Sequence, residues 1–266
     1  MTEENKQFNF THIFESFLTA FNVNRGLIPT LRDLLINPAI VIKYYIAGKI
    51  DKYGYNKYFS PGRFFVTVLA ILSVFAFFSS YSSDVIYEYF VKGLDAQLAA
   101  SKTVGEEAII INSVNKVSIK VVMFFFNNPM FTFLLLIIPC ALSTRLLFKS
   151  ENYNLAKHFV VNIYCFCFIA LATGILSVCF NQEEYLMYSF QRLEDARNNI
   201  KTDVLWKFEF YTYSFYLIPI LYYFYAFKNI FNISWISAIF KTMGSLILSF
   251  ATIFFTFLIA VLIFVL

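Results

Sequence analysis

The stretch TMGSLILSFATIFFTFLIAVLIFVL, residues 242–266, runs for 25 residues without a charge. A helix needs about 20 residues to cross the ~30 Å hydrocarbon core of a bilayer. The run also lacks the alternation that a lipid-facing strand would show. Four further stretches read the same way, at about 64–81, 129–148, 158–180 and 210–227, and none has a charge at its centre. A segment in lipid must satisfy its backbone hydrogen bonds internally, so such runs specify helices. The expected fold is an all-α polytopic membrane helix bundle. Its transmembrane domain, residues 64–266, has about five spans, and residues 1–63 form an amphipathic region before it.

Composition agrees. Hydrophobic residues are 59% of the 266 and charged residues 14%, whereas soluble domains sit near 45–50% and about 25%. So few charges cannot cover so much Phe, Leu and Ile in water, and lipid is the expected solvent. The net charge of +4 is dispersed, which gives no footprint for nucleic acid. The first twenty residues have neither a basic n-region nor an apolar h-region, so targeting is assigned to the first span. Cys140, Cys165, Cys167 and Cys179 all fall in apolar runs. Two positions apart on a helix, Cys165 and Cys167 point roughly 200° from each other and cannot chelate one ion together. They read as packing residues.

Lys and Arg set the expected orientation. Residues 1–63 and the connections after the second and fourth spans hold thirteen, among them Arg145, Lys149, Lys157, Lys228 and Lys241; the other two connections hold eight. The N-terminus is therefore expected in the cytoplasm and the C-terminus outside. The two extracytoplasmic connections, 82–122 and 181–209, read as helical and solvated.

Residues 1–63 are too polar to span. Thr11 reads as the cap of a helix whose face carries Ile13, Phe14, Phe17, Leu18 and Phe21. Thr30 and Asp33 have the spacing of a capping box, followed by Leu31, Leu34 and Leu35 on one side. Asn37 and Pro38 read as a cap and first helical residue. The helix they open carries Ile40, Val41, Tyr44 and Tyr45 and ends near Gly48 and Lys49. Tyr and Lys crowd residues 51–63, as suits headgroup level. Short amphipathic helices lying along the cytoplasmic face follow from this pattern, acting either as an anchor for the first span or as a docking platform.

The block FNVNRGLIPTLRDLLINP, residues 21–38, continuing to YIAGK at 45–49, resembles a large family of uncharacterised multi-spanning proteins of Bacteroidota. That family's pattern is Thr-Leu-x-Asp-Leu, a Pro, and then Tyr-x-x-Gly-Lys ahead of the first span. Thr30, Asp33, Pro38, Tyr45, Gly48 and Lys49 carry the likeness as an interfacial block. Many relatives have a cysteine zinc ribbon before it and Pro-Gly where this chain has Pro38 and Ala39. The resemblance implies a bacterial inner-membrane location and supplies no activity.

No nucleophile elbow, phosphate loop or His-Glu-x-x-His pair is present. His12 and His158 lie on separate elements. Glu183 and Glu184 form a doublet like that of some intramembrane proteases, but Tyr188 stands where an Arg is expected. No catalytic residue, cofactor or metal ligand is assigned, and the chain reads as non-enzymatic. Ser245, Ser249, Thr252 and Thr256 lie at i, i+4, i+7 and i+11 of the last span; the third span carries Asn162 with a small face of Ala170, Gly174 and Ser177. Such residues permit close helix packing or line a pore in an oligomer. Pro139 and Pro219 are expected to kink their helices, and Tyr216, deep in the fourth span, is expected to need a hydroxyl partner. The leading function is a membrane-organising or partner-binding protein, with an oligomeric channel or transporter as the alternative. The partners called for are the bilayer, and a homo-oligomer or another membrane protein.

Overall fold

The computed structural model describes residues 26–49, 57–78, 91, 106–149, 153–180, 182–197 and 205–265. The expected helix over residues 11–21 lies outside them, as does most of 79–105. Every regular element among the described residues is an α-helix: α1 (Leu27–Ile36), α2 (Pro38–Ile46), α3 (Pro61–Phe78), α4 (Glu106–Asn127), α5 (Pro129–Leu147), α6 (Leu155–Val178), α7 (Gln182–Arg197), α8 (Trp206–Phe231) and α9 (Trp235–Val265). Within α5, α6 and α9, the stretches Met130–Leu147, Leu155–Val178 and Trp235–Ile259 are long and apolar enough to cross a bilayer; Pro61–Phe75 is a shorter apolar stretch. The chain is an all-α bundle of membrane-spanning type.

Local chemistry accounts for several helix ends. Pro38 and Pro129 each occupy the first turn after Asn37 and Asn128, where a missing N–H costs nothing. The Asn154 side chain accepts the Lys157 N–H at 3.0 Å and caps α6. α2 stops in a Schellman motif: the Gly48 N–H bonds the Tyr45 carbonyl at 3.0 Å and the Lys49 N–H bonds that of Tyr44 at 3.2 Å. Gly48 has φ +61, a conformation that costs a side chain about 1 kcal/mol or more. Pro139 and Pro219 sit inside continuous helices.

α6 is the hub. It packs along α3, α5 and α8 and also meets α1 and α2, while α9 lies against α5, α8 and α4. Half of the apolar stretch of α6 is buried, against 17% for α9, so α9 is the peripheral helix. At Gly174 a Cβ would come within 2.5 Å of Leu72 and 3.1 Å of Phe75, so glycine is what lets α3 and α6 approach. Cys165 and Cys167 are buried in the core as free thiols.

Two expectations are corrected here. Tyr216 is 64% exposed and faces outward, whereas Tyr222 and Tyr223 are buried. An apolar surface runs all round α8, so sequence depth alone does not select the inward face. Leu35 is 63% exposed and parts company with Leu34, which is fully buried.

Basic residues gather over aromatic rings at one end of the bundle. Arg63 lies 5.5 Å from the Phe59 ring centroid, Lys157 5.4 Å from Tyr153, Lys228 4.9 Å from Trp235 and Lys241 5.4 Å from Phe148. α1 and α2 cover this end. At the other end α7 meets the start of α8, where the buried Glu209 accepts from Tyr188 at 3.1 Å and pairs with Arg192.

Candidate functional site

The first polar cluster ties α1 to the approach to α3. Thr30 and Asp33 do not form a capping box: the helix begins at Leu27, three residues upstream of Thr30, and both side chains are buried on its inner face. Thr30 Oγ1 donates to the Gly26 carbonyl at 2.7 Å and accepts the Phe59 N–H at 2.9 Å. Asp33 Oδ2 accepts the Tyr58 hydroxyl at 2.6 Å, and Arg32 Nε donates to Oδ1 at 2.7 Å. Lys57 Nζ stands 3.5 Å from Oδ2. Charge-assisted bonds from Arg32 and then Tyr58 hold the Asp33 carboxyl down at about 2. Burial, reinforced by the bond to Asp33, pushes the Tyr58 phenol up. A Cβ on Gly26 would meet the Phe59 ring at 3.0 Å, so this junction is closely packed.

Tyrosines of α6 and α8 fasten the same unit from below. Tyr164 on α6 donates to the Phe59 carbonyl, Tyr222 on α8 donates to that of Leu34 at 3.1 Å, and Tyr225 donates to that of Ile36. α1 and α2 thus form a platform latched to the bundle. Its outer face leaves Ile28, Leu35, Ile36 and Ile40 exposed beside Arg32, Lys43 and Lys49.

The second cluster is a polar seam between α5, α6 and α9. Ser143 Oγ lies 2.9 Å from Ser245 Oγ and 2.7 Å from Ser249 Oγ, and either hydroxyl of each pair can donate. Its neighbour Thr144 accepts from Asn162 Nδ2 at 3.0 Å, and Asn162 also donates to the His158 carbonyl at 2.8 Å. Asn162, Ser245 and Ser249, read separately along the chain, therefore meet through the dipeptide Ser143 and Thr144. The seam is buried yet incompletely paired. Asn162 Oδ1, Thr242 Oγ1 and both ring nitrogens of His158 have no hydrogen-bond partner among the described residues. The His158 ring stacks on Phe231 with centroids 5.6 Å apart. His158 and Asn162 lie in the first third of α6, next to Lys157 and Tyr153 at the end that α1 and α2 cover, so the seam lies toward the platform.

Thr252 and Thr256 lie outside it. Both are exposed, and each hydroxyl bonds a carbonyl of its own helix four residues back at 2.8 Å. Along the sequence His158 stands out only as a histidine on a different element from His12. Ser143 and Thr144 carry no signal beyond paired hydroxyls within an apolar run, and Thr242 none beyond a single hydroxyl. Tyr45 is half-buried on α2, with its ring 6.3 Å from that of Tyr164; Pro38 is buried and Lys49 exposed.

Comparison with known proteins meets the platform. The family described as "Protein of unknown function (DUF3667)" matches residues 24–73, which cover α1, α2, the latch segment and most of α3. No curated protein and no solved structure matches the chain. The chain is similar, over its platform and first apolar helix, to an uncharacterised family.

Proposed function

We propose that the chain is a non-enzymatic multi-pass protein of the bacterial inner membrane. In this reading α3, α5, α6, α8 and α9 span, the platform faces the cytoplasm, and α1 and α2 bind a protein partner. One observation carries it: the platform's inner face is latched by Thr30 and Asp33 while its outer face leaves Ile28, Leu35 and Ile36 63–79% exposed beside Arg32. Apolar side chains rimmed by cations suit a docking surface at headgroup level. A photo-crosslinking residue at Leu35, in intact cells, should give a discrete protein adduct that Ile28→Asp abolishes and that a probe at the lipid-facing Phe250 does not give. Adducts to lipid alone at Leu35 would reduce the platform to an anchor.

A second reading, an oligomeric channel or transporter, draws support from the unpaired polar atoms of the seam, because polar groups in lipid are costly and often functional. The outward Thr252 and Thr256 would then line a path between copies. Solute efflux from liposomes, compared for wild type, Thr252→Phe and Asn162→Leu, tests it. Flux altered by either substitution in correctly assembled protein would favour the path. Efflux no greater than from empty liposomes would count against a constitutively open one.

A further inference from the structure

We propose that the groove between α2 and the end of α8 is a binding site for the phosphate headgroup of an anionic phospholipid. It deepens the platform reading, since it rests on α1 and α2 lying at headgroup level. The groove is open, encloses about 620 Å³, and runs along one face of α2 from Asn37 through Ile40, Lys43 and Tyr44 to Lys49, with Asn229 and Asn232 opposite. Two ammonium groups and three amides line it, and among the described residues no carboxylate does.

The two cations are available to a ligand. Lys43 and Lys49 are exposed, and Lys43 makes a long 3.5 Å contact to the Asn229 carbonyl that a phosphate oxygen can displace. A compact ammonium is a good point-charge partner for a phosphate. The walls are apolar where a glycerol and the first methylenes would lie, at Ala39, Ile40 and the ring of Tyr44. Ile40, 49% exposed, continues this surface outward.

The neighbourhood fixes the depth. The α8–α9 turn at Asn232 forms one bank of the groove. Across that turn Lys228, at the end of α8, sits over the ring of Trp235, 52% exposed at the start of α9. Trp and Lys together are the side chains that collect at the membrane–water interface. Charge, an apolar wall and interfacial placement together select a lipid over a soluble anion.

The test uses the full chain in neutral detergent. It is titrated with dioctanoyl phosphatidylglycerol, dioctanoyl phosphatidylcholine and inorganic phosphate, with bound species counted by native mass spectrometry. Wild type should retain phosphatidylglycerol at a concentration tenfold or more below that needed for phosphatidylcholine. Lys43→Gln/Lys49→Gln should abolish the preference, and Lys120→Gln on α4 should leave it. Ala47→Leu, at an exposed position with ordinary helical geometry, fills the groove while keeping both charges and should also abolish it. Equal retention of both lipids, or a preference surviving the double substitution or Ala47→Leu, would overturn the site. Inorganic phosphate competing as strongly as the lipid would overturn the choice of a lipid. The Leu35 crosslink, measured in the same variants, reports the platform separately: a headgroup site that fails while the crosslink persists leaves the docking reading standing.

Discussion

The latch around Asp33 and the seam around Ser143 are both built from buried polar side chains, and they differ in how far those groups are satisfied. In the latch, Thr30 both donates and accepts, and Asp33 takes bonds on both oxygens. In the seam, the amide oxygen of Asn162, the Thr242 hydroxyl and the His158 ring nitrogens have no partner among the described residues. Native interiors pair nearly all buried polar groups. A closed network reads as architecture, an open one as a place where something else bonds. Of the pattern that resembles a family, Thr30 and Asp33 belong to the closed network, so those two residue choices follow from fastening the platform.

The largest effect should come from opening the latch. Asp33→Ala strands the Tyr58 hydroxyl and should cost about 2–4 kcal/mol of stability, read by thermal unfolding in detergent. A neutral result would erase the contrast between the two networks.

Acid should approach the same state reversibly. The folded Asp33 carboxyl titrates at about 2, below its ordinary 3.8. Its contribution is therefore complete above about pH 4 and is lost as the pH falls through 2. The shift corresponds to at most about 2 kcal/mol, reduced by salt because Arg32 is 62% exposed. Unfolding followed from pH 5 to pH 2 should show this slope in wild type and lack it in Asp33→Asn.

Within the seam, Ser143→Ala should cost about 0.6–1.7 kcal/mol, the range of interhelical hydrogen bonds in membranes. Most of that should vanish when Ser249 is already Ala, and additive losses would mean that the two hydroxyls are not coupled. The smallest effect belongs to Thr252→Ala, expected within about 0.5 kcal/mol because the hydroxyl serves its own helix. A larger loss would show that Thr252 is buried in an assembly of several copies.

What could be read along the chain was local. Asn37 with Pro38, Asn128 with Pro129, and the Gly48 stop act within a few residues, so spacing alone located them. Thr30 and Asp33 have capping-box spacing too, but their partners are Phe59 and Tyr58, 29 and 25 residues away. Long-range pairing overrode the local signal. The hydroxyl stripe of α9 was legible as a stripe. Its division into buried Ser245 and Ser249 and outward Thr252 and Thr256 was not, because it depends on which residues of α9 meet Ser143 on α5. Nor could helical periodicity show that Ser143 stands opposite two serines more than 100 residues on.

The tyrosines beneath the platform also set an order of assembly. Asp33 and Tyr58 are 25 residues apart and can close as soon as α3 has emerged from the ribosome; the Tyr164 bond must wait for α6 and the Tyr222 bond for α8, 105 and 188 residues along. Chains are made at about 5–20 residues per second. The platform should therefore spend several seconds latched only to the segment that leads into α3 before its underside is covered. During that interval Val41, Ile42 and Leu34, all fully buried in the finished fold, are open to insertion factors and chaperones. A ribosome-stalled chain ending near residue 200 should carry the Asp33 latch and remain accessible to protease at Leu34.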